Sequence, residues 1–230
     1  MKVLITGANR GIGLGFVREY VNRGALVFVS CRKPEQADEL KSLQAESSDQ
    51  MIILPLDVTD QPQIDQCYNR VREQTGSLDR LINNAGILHP VESFRDITTS
   101  ALMESFAVNA VSPLSLIQRF EDVLARGVSP RIVNITGPTP PISKLPRRNN
   151  QVYMASRYAH NALTRMVALE LHRERYNHRR PLAGIYPHRY EPTCAGRIIP
   201  GRSDTPGCEC DREPDARSQW MLSPSRRQNL

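Results

Sequence analysis

Long apolar runs are missing. No stretch of the 230 residues approaches the roughly 18–20 consecutive apolar positions that span a bilayer, so no membrane partner is expected. No secretory leader is expected either, because the N-terminus runs directly into a short apolar segment. Cysteine is sparse. Cys31, Cys67, Cys194, Cys208 and Cys210 show no framework spacing, which points to a reduced, cytoplasmic chain. Cys208-x-Cys210 has no nearby His or Cys to complete a zinc set, so no metal site is expected. Aromatics make up only 6% of the chain and do not interleave with its cations. The net charge is +6, and every cation in 172–230 is arginine, yet no stacking platform or recognised motif accompanies them. A solvated basic surface is expected rather than a nucleic-acid site.

What is present is an ordinary globular composition, 40% hydrophobic and 23% charged, in a chain long enough to bury a full core. Its organising stretch is Lys2–Gly15. Val3-Leu4-Ile5 reads as a short buried strand, and Thr6-Gly7 and the glycines Gly11 and Gly13 read as a tight turn. That turn opens a helix through Phe16, Val17 and Tyr20. A turn without side chains lets backbone N–H groups approach a pyrophosphate, and the helix N-terminus adds about half an elementary positive charge. The spacing is Gly-x-x-x-Gly-x-Gly, and glycine at a helix start can also be steric.

Residues 24–30 read as a second strand, ending in Cys31-Arg32-Lys33. An adenosine ribose sits at such a strand tip, where an acidic residue favours NAD and a basic one accommodates a 2′-phosphate. Arg32 and Lys33, with Arg10 in the turn, predict NADP(H) over NAD(H), or else form a solvated strand end. Pro34–Ala45 reads as a helix and Met51–Leu56 as a third strand. Asp57 either holds an adenine amino group or caps the next helix, Gln61–Thr75. Residues 78–86 read as a fourth strand closing on Asn83-Asn84-Ala85-Gly86. Thr98–Phe120 reads as one long helix in which Asn109, a poor helix-interior residue, either holds a water or distorts the backbone. Residues 131–137 read as a fifth strand, 138–150 as a loop, and Tyr153–Arg157 opens a helix to about His172. Strand and helix alternate without hairpin signals. That predicts parallel strands joined by right-handed crossovers, an α/β Rossmann-type doubly wound sheet in three layers, α/β/α. The candidate clusters all fall at strand carboxyl ends, where such sheets bind ligands.

Thr6-Gly7-Ala8-Asn9-Arg10-Gly11-Ile12-Gly13, Leu56-Asp57-Val58-Thr59-Asp60, Asn83-Asn84-Ala85-Gly86, Asn109, Arg131–Ile135 and Tyr153-x-x-x-Arg157 occur in one order across residues 2–172. On these the chain resembles the short-chain dehydrogenase/reductase family, and within it the C-factor-like and sniffer-like carbonyl reductases. The resemblance implies a Rossmann domain over 1–187 that binds NAD(P)(H) and moves a hydride to or from a small carbonyl or alcohol. It implies cofactor contacts from Gly7, Asn9, Arg10, Gly11, Ile12, Gly13, Arg32, Asp57, Val58, Asn83, Ala85, Gly86, Tyr153 and Arg157. The family's catalytic set is Asn, Ser, Tyr and Lys. Here Asn109 and Tyr153 are in place, whereas the Lys position is Arg157 and the Ser position is Gly137. Arg157 can set a positive charge beside Tyr153 and bond ribose hydroxyls, but cannot release a proton. Gly137 removes a donor to the developing alkoxide, with neighbouring Thr136 and Ser143 as substitutes. A catalytically weak, nucleotide-binding protein with a regulatory role is the alternative. Homodimers or homotetramers through the Thr98–Phe120 and Ser156–His172 helices are implied by analogy alone.

From 188 onward the match decays into a Pro/Arg-rich, aperiodic stretch that reads as poorly ordered. A reading-frame shift across 190–230 would account for it, and the nucleotide sequence would decide it.

Overall fold

The computed structural model describes residues 1–176 apart from 91, 92, 138 and 146–149. The boundary at 187, the tail 188–230 with its frame-shift reading, and Cys194, Cys208 and Cys210 lie outside the described residues. Five strands, β1 (Lys2–Thr6), β2 (Leu26–Cys31), β3 (Met51–Pro55), β4 (Arg80–Asn83) and β5 (Arg131–Asn134), form one parallel sheet in the order β3-β2-β1-β4-β5. The helices are α1 (Gly11–Asn22), α2 (Asp38–Ser47), α3 (Gln61–Thr75), α4 (Thr99–Phe106), α5 (Ser112–Ala125) and α6 (Gln151–Tyr176).

Strand alternation sends successive side chains to opposite faces and so makes the three layers. Val3, Ile5, Val27, Val29 and Ile82 pack with Leu14 and Val17 of α1 and Leu40 of α2. Leu4, Phe28, Leu81 and Ile132 pack with Ile64 and Val71 of α3 and with Leu116, Phe120 and Leu124 of α5. Ile5 pairs with both Val29 and Ile82, so β1 lies where the chain reverses its direction across the sheet. That switch point opens a crevice beyond the carboxyl ends of β1 and β4.

The expected α/β architecture holds, with several local corrections. The segment after Pro34 begins as a 3₁₀ turn, Pro34–Gln36, and α2 starts only at Asp38. Asp60, not Asp57, caps α3, accepting from the Gln63 N–H at 3.1 Å. Asp57 instead closes its own turn, accepting from the Thr59 N–H and hydroxyl. The fourth and fifth strands stop at Asn83 and Asn134, short of the apolar-plus-glycine stretches that suggested them. The long helix is interrupted by a π turn, Ala107–Val111, centred on Asn109. The helical run Thr99–Ala125 is long and apolar enough to cross a membrane by length and composition, although polar residues interrupt it throughout. Its Leu116, Phe120, Val123 and Leu124 are buried in the core against the sheet.

Candidate active site

The turn after β1 is braced from β4. Thr6 Oγ1 accepts from the N–H groups of Asn84 and Ala85, both at 3.1 Å. Asn84 Nδ2 donates to the carbonyls of Thr6 and Gly7, both at 2.9 Å. This packing dictates the glycines. Gly7 has φ +61°, and a Cβ there would lie 2.7 Å from Ala85 Cα; one on Gly13 would lie 2.4 Å from Asn84 Nδ2 and 2.6 Å from the Gly7 carbonyl. Helix α1 then starts without a side-chain cap and with no acidic residue in its first turn. Its leading N–H groups are open to an anion, with Asn9, Arg10 and Gly11 exposed around them and Ile12 59% exposed. Arg32 and Lys33 are exposed just beyond β2. The cradle therefore fits a dinucleotide phosphate on the geometry of this chain.

Other residues expected at the cofactor are placed less simply. The Val58 side chain belongs to the core, leaving its main chain as the part available to a ligand. Asn83 turns its amide toward Asn134 Oδ1 at 2.8 Å, and Asn134 passes a bond on to Thr164 Oγ1 at 2.8 Å, so Asn83 ties β4 to β5 and α6. The amide that reaches the glycine turn is that of Asn84.

Five expected residues, Gly86, Asn109, Gly137, Tyr153 and Arg157, do meet at the carboxyl edge between β4, β5 and α6. Asn109 is fully buried. Its Oδ1 accepts from the Ile87 N–H at 2.8 Å, and its Nδ2 donates to the Ile87 carbonyl and to Ser156 Oγ, each at 2.9 Å. Both amide hydrogens are thereby committed, so the side chain acts as a clamp that ties the loop after β4 to the π turn. Ser156 Oγ in turn donates to the Tyr153 carbonyl at 2.7 Å. Arg157 is 5% exposed, donates from Nη1 to the Ile135 carbonyl at 3.0 Å, and holds its guanidinium 4.9 Å from the Tyr153 ring centroid. A Cβ on Gly86 would lie 2.6 Å from Arg157 Nη2, so glycine there makes room for the guanidinium. A Cβ on Gly137 would lie 3.1 Å from Tyr153 Oη. Position 137 is thus the one beside the tyrosine hydroxyl. Thr136 Oγ1 is buried without a hydrogen-bond partner, and Ser143 is exposed in the 3₁₀ turn Ile142–Lys144.

The residue matches and this geometry agree with the comparisons to known proteins. The model of the short chain dehydrogenases matches residues 1–178. The chain belongs to the short-chain dehydrogenase family. A sorbitol dehydrogenase of Cereibacter sphaeroides is 33% identical over 178 residues, covering 76% of this chain and 66% of that protein. The NADPH-bound carbonyl reductase from chicken fatty liver superposes with a TM-score of 0.69 at 33% identity, over 75% of this chain and 74% of that one. Carbonyl reductase Sniffer of D. melanogaster superposes with a TM-score of 0.70 at 26% identity, over 76% of each chain. The chain spans roughly half to two thirds of the length of the curated relatives it matches.

Ser156 and His160 were not singled out from the sequence, although each lies three residues beyond a named residue, Tyr153 or Arg157, on the same helix face. His160 is 2% exposed, and its ring is pushed down to about 4 by burial and then by the charge of Arg157. The unfolded chain takes up this proton near the ordinary 6.5 while the folded chain does not. Stability is therefore present above that range and falls as pH drops from about 6.5 to about 4, by up to about 3 kcal/mol. Urea midpoints measured at intervals from neutral pH down to pH about 4 should show this loss, and His160→Asn should lack it.

Proposed function

We propose that this protein is a short-chain oxidoreductase that transfers a hydride between NADP(H) and a small carbonyl or alcohol. The observation that carries the reading is the meeting of Tyr153 Oη, Gly137 and the buried Arg157 guanidinium at the sheet edge that also holds the glycine cradle. NADP(H), when bound, supplies the hydride donor or acceptor carbon. Gly7, Gly11, Gly13 and the open start of α1 would hold its pyrophosphate. Arg10 and Arg32 would take the 2′-phosphate, and the Asp57–Val58 turn the adenine side. Ala85, Gly86 and Arg157 would lie along the ribose side. Tyr153 gives or takes the proton at the substrate oxygen, as a positioned general acid or base. Arg157 supplies fixed positive charge there. Asn109 clamps the site rather than carrying protons. The similar carbonyl reductases from chicken fatty liver and Pseudomonas aeruginosa, solved with NADPH and NADP respectively, support the coenzyme preference. A nucleotide-binding domain over 1–187, a cytoplasmic setting and pairing through the α4–α5 and α6 helices belong to the same reading.

Titration with NADPH tests it. Coenzyme fluorescence should rise and saturate, with NADH weaker. Arg32→Glu should weaken NADPH by about tenfold to a hundredfold, the worth of a charge-assisted bond, while sparing NADH. No response to either coenzyme at millimolar levels would overturn the proposal.

A further inference from the structure

The contact between Arg157 and His160 belongs to none of the roles assigned above. Arg157 has no carboxylate in ion-pair distance among the described residues, and its Nε has no hydrogen-bond partner. Its Nη1 faces two acceptors, the Ile135 carbonyl at 3.0 Å and His160 Nδ1 at 3.4 Å. A guanidinium is always protonated and only donates, so Nδ1 must be the accepting nitrogen and Nε2 carries the ring proton. His160 lines the small cavity bounded by Pro113, Asn134 and Thr164, and its Nε2 is buried without a hydrogen-bond partner. Arginine differs from lysine at this position in needing directional acceptors for a planar fork. The Ile135 carbonyl, just past the end of β5, fixes a single N–H, and the long side chain can still pivot about it.

We propose that His160 is a positioning residue: its Nδ1, together with the Ile135 carbonyl, holds the Arg157 guanidinium over the Tyr153 ring and against Gly86. The proposal extends the acid/base reading of Tyr153 and rests on it for its catalytic consequence alone.

Two variants separate the acceptor from the bulk of the ring. His160→Leu fills the space without an acceptor, and His160→Asn restores an oxygen at the Nδ1 position. In the coenzyme-free protein, the Arg157 side-chain N–H resonance, assigned by its loss in Arg157→Lys, should exchange with solvent about tenfold faster in His160→Leu than in wild type. His160→Asn should match wild type. With NADPH and a generic aldehyde, His160→Leu should lower kcat about tenfold to a hundredfold with the aldehyde KM unmoved, and His160→Asn should recover it. Unchanged exchange in a folded His160→Leu would overturn the proposal. Should that variant not fold, nitrogen-15 NMR of the wild-type imidazole decides: an unprotonated Nδ1 at neutral pH is expected, and a protonated one would overturn it. The exchange and tautomer measurements need no coenzyme, so failure of the oxidoreductase reading would show separately, in the NADPH titration.

Discussion

Tyr153→Phe should lower kcat for reduction of a generic aldehyde by about 10²–10⁴-fold, the usual contribution of a positioned acid or base, while NADPH still binds. The variant isolates one atom. The ring, its contact with the Arg157 guanidinium and the Ser156 bond to the residue 153 carbonyl are all retained, because that bond is made by the main chain. Only Oη, beside Gly137, is removed. Circular dichroism and NADPH affinity therefore serve as controls, and the rate reports proton transfer. Equal rates for the pair would take Tyr153 out of the mechanism. They would leave the alternative, a nucleotide-binding protein that regulates rather than turns over.

The fold was largely legible in the sequence because its signals are local. Apolar runs broken by glycine recur at strand-helix spacing, and the expected bounds of Gln61–Thr75 are those observed, with Asp60 and Gly76 as its caps. Errors fell where tertiary contacts override local preference. The distortion expected at Asn109 takes the form of a π turn set by its bonds to the Ile87 backbone, a form that no helix pattern encodes. Asp57 and Asp60 are equivalent as cap candidates by residue type, and only the chain path decides between them. At the site, Tyr153, Arg157, Gly137 and Asn109 could be named from the family pattern. The direction of the Arg157 fork could not, because it depends on the Ile135 carbonyl and on His160, which sits on α6 among apolar and polar neighbours without any motif. Asn83 and Asn84 are likewise alike by residue type, and only the chain path decides that Asn84 reaches the glycine turn while Asn83 bonds Asn134.

Gly137→Ser is expected to raise kcat by about 10²–10³-fold, the value of one added donor to a developing oxyanion. The position permits it. Gly137 is not among the residues with positive φ, so a side chain meets no backbone strain. Its nearest neighbours are the far end of Tyr153, with Oη at 3.1 Å and Cε1 at 3.5 Å from the added Cβ. A ring on two rotatable bonds can yield the few tenths of an ångström this requires. A serine there places its hydroxyl beside Oη, so both can donate to the same substrate oxygen. That sharing has a measurable signature: effects of groups that act as a unit are not additive. The gain should be large in the wild-type background and far smaller in Tyr153→Phe. A rate that falls instead would mean that the Arg157 guanidinium pins the ring too firmly to move. His160→Leu, which frees that guanidinium, should then soften the penalty.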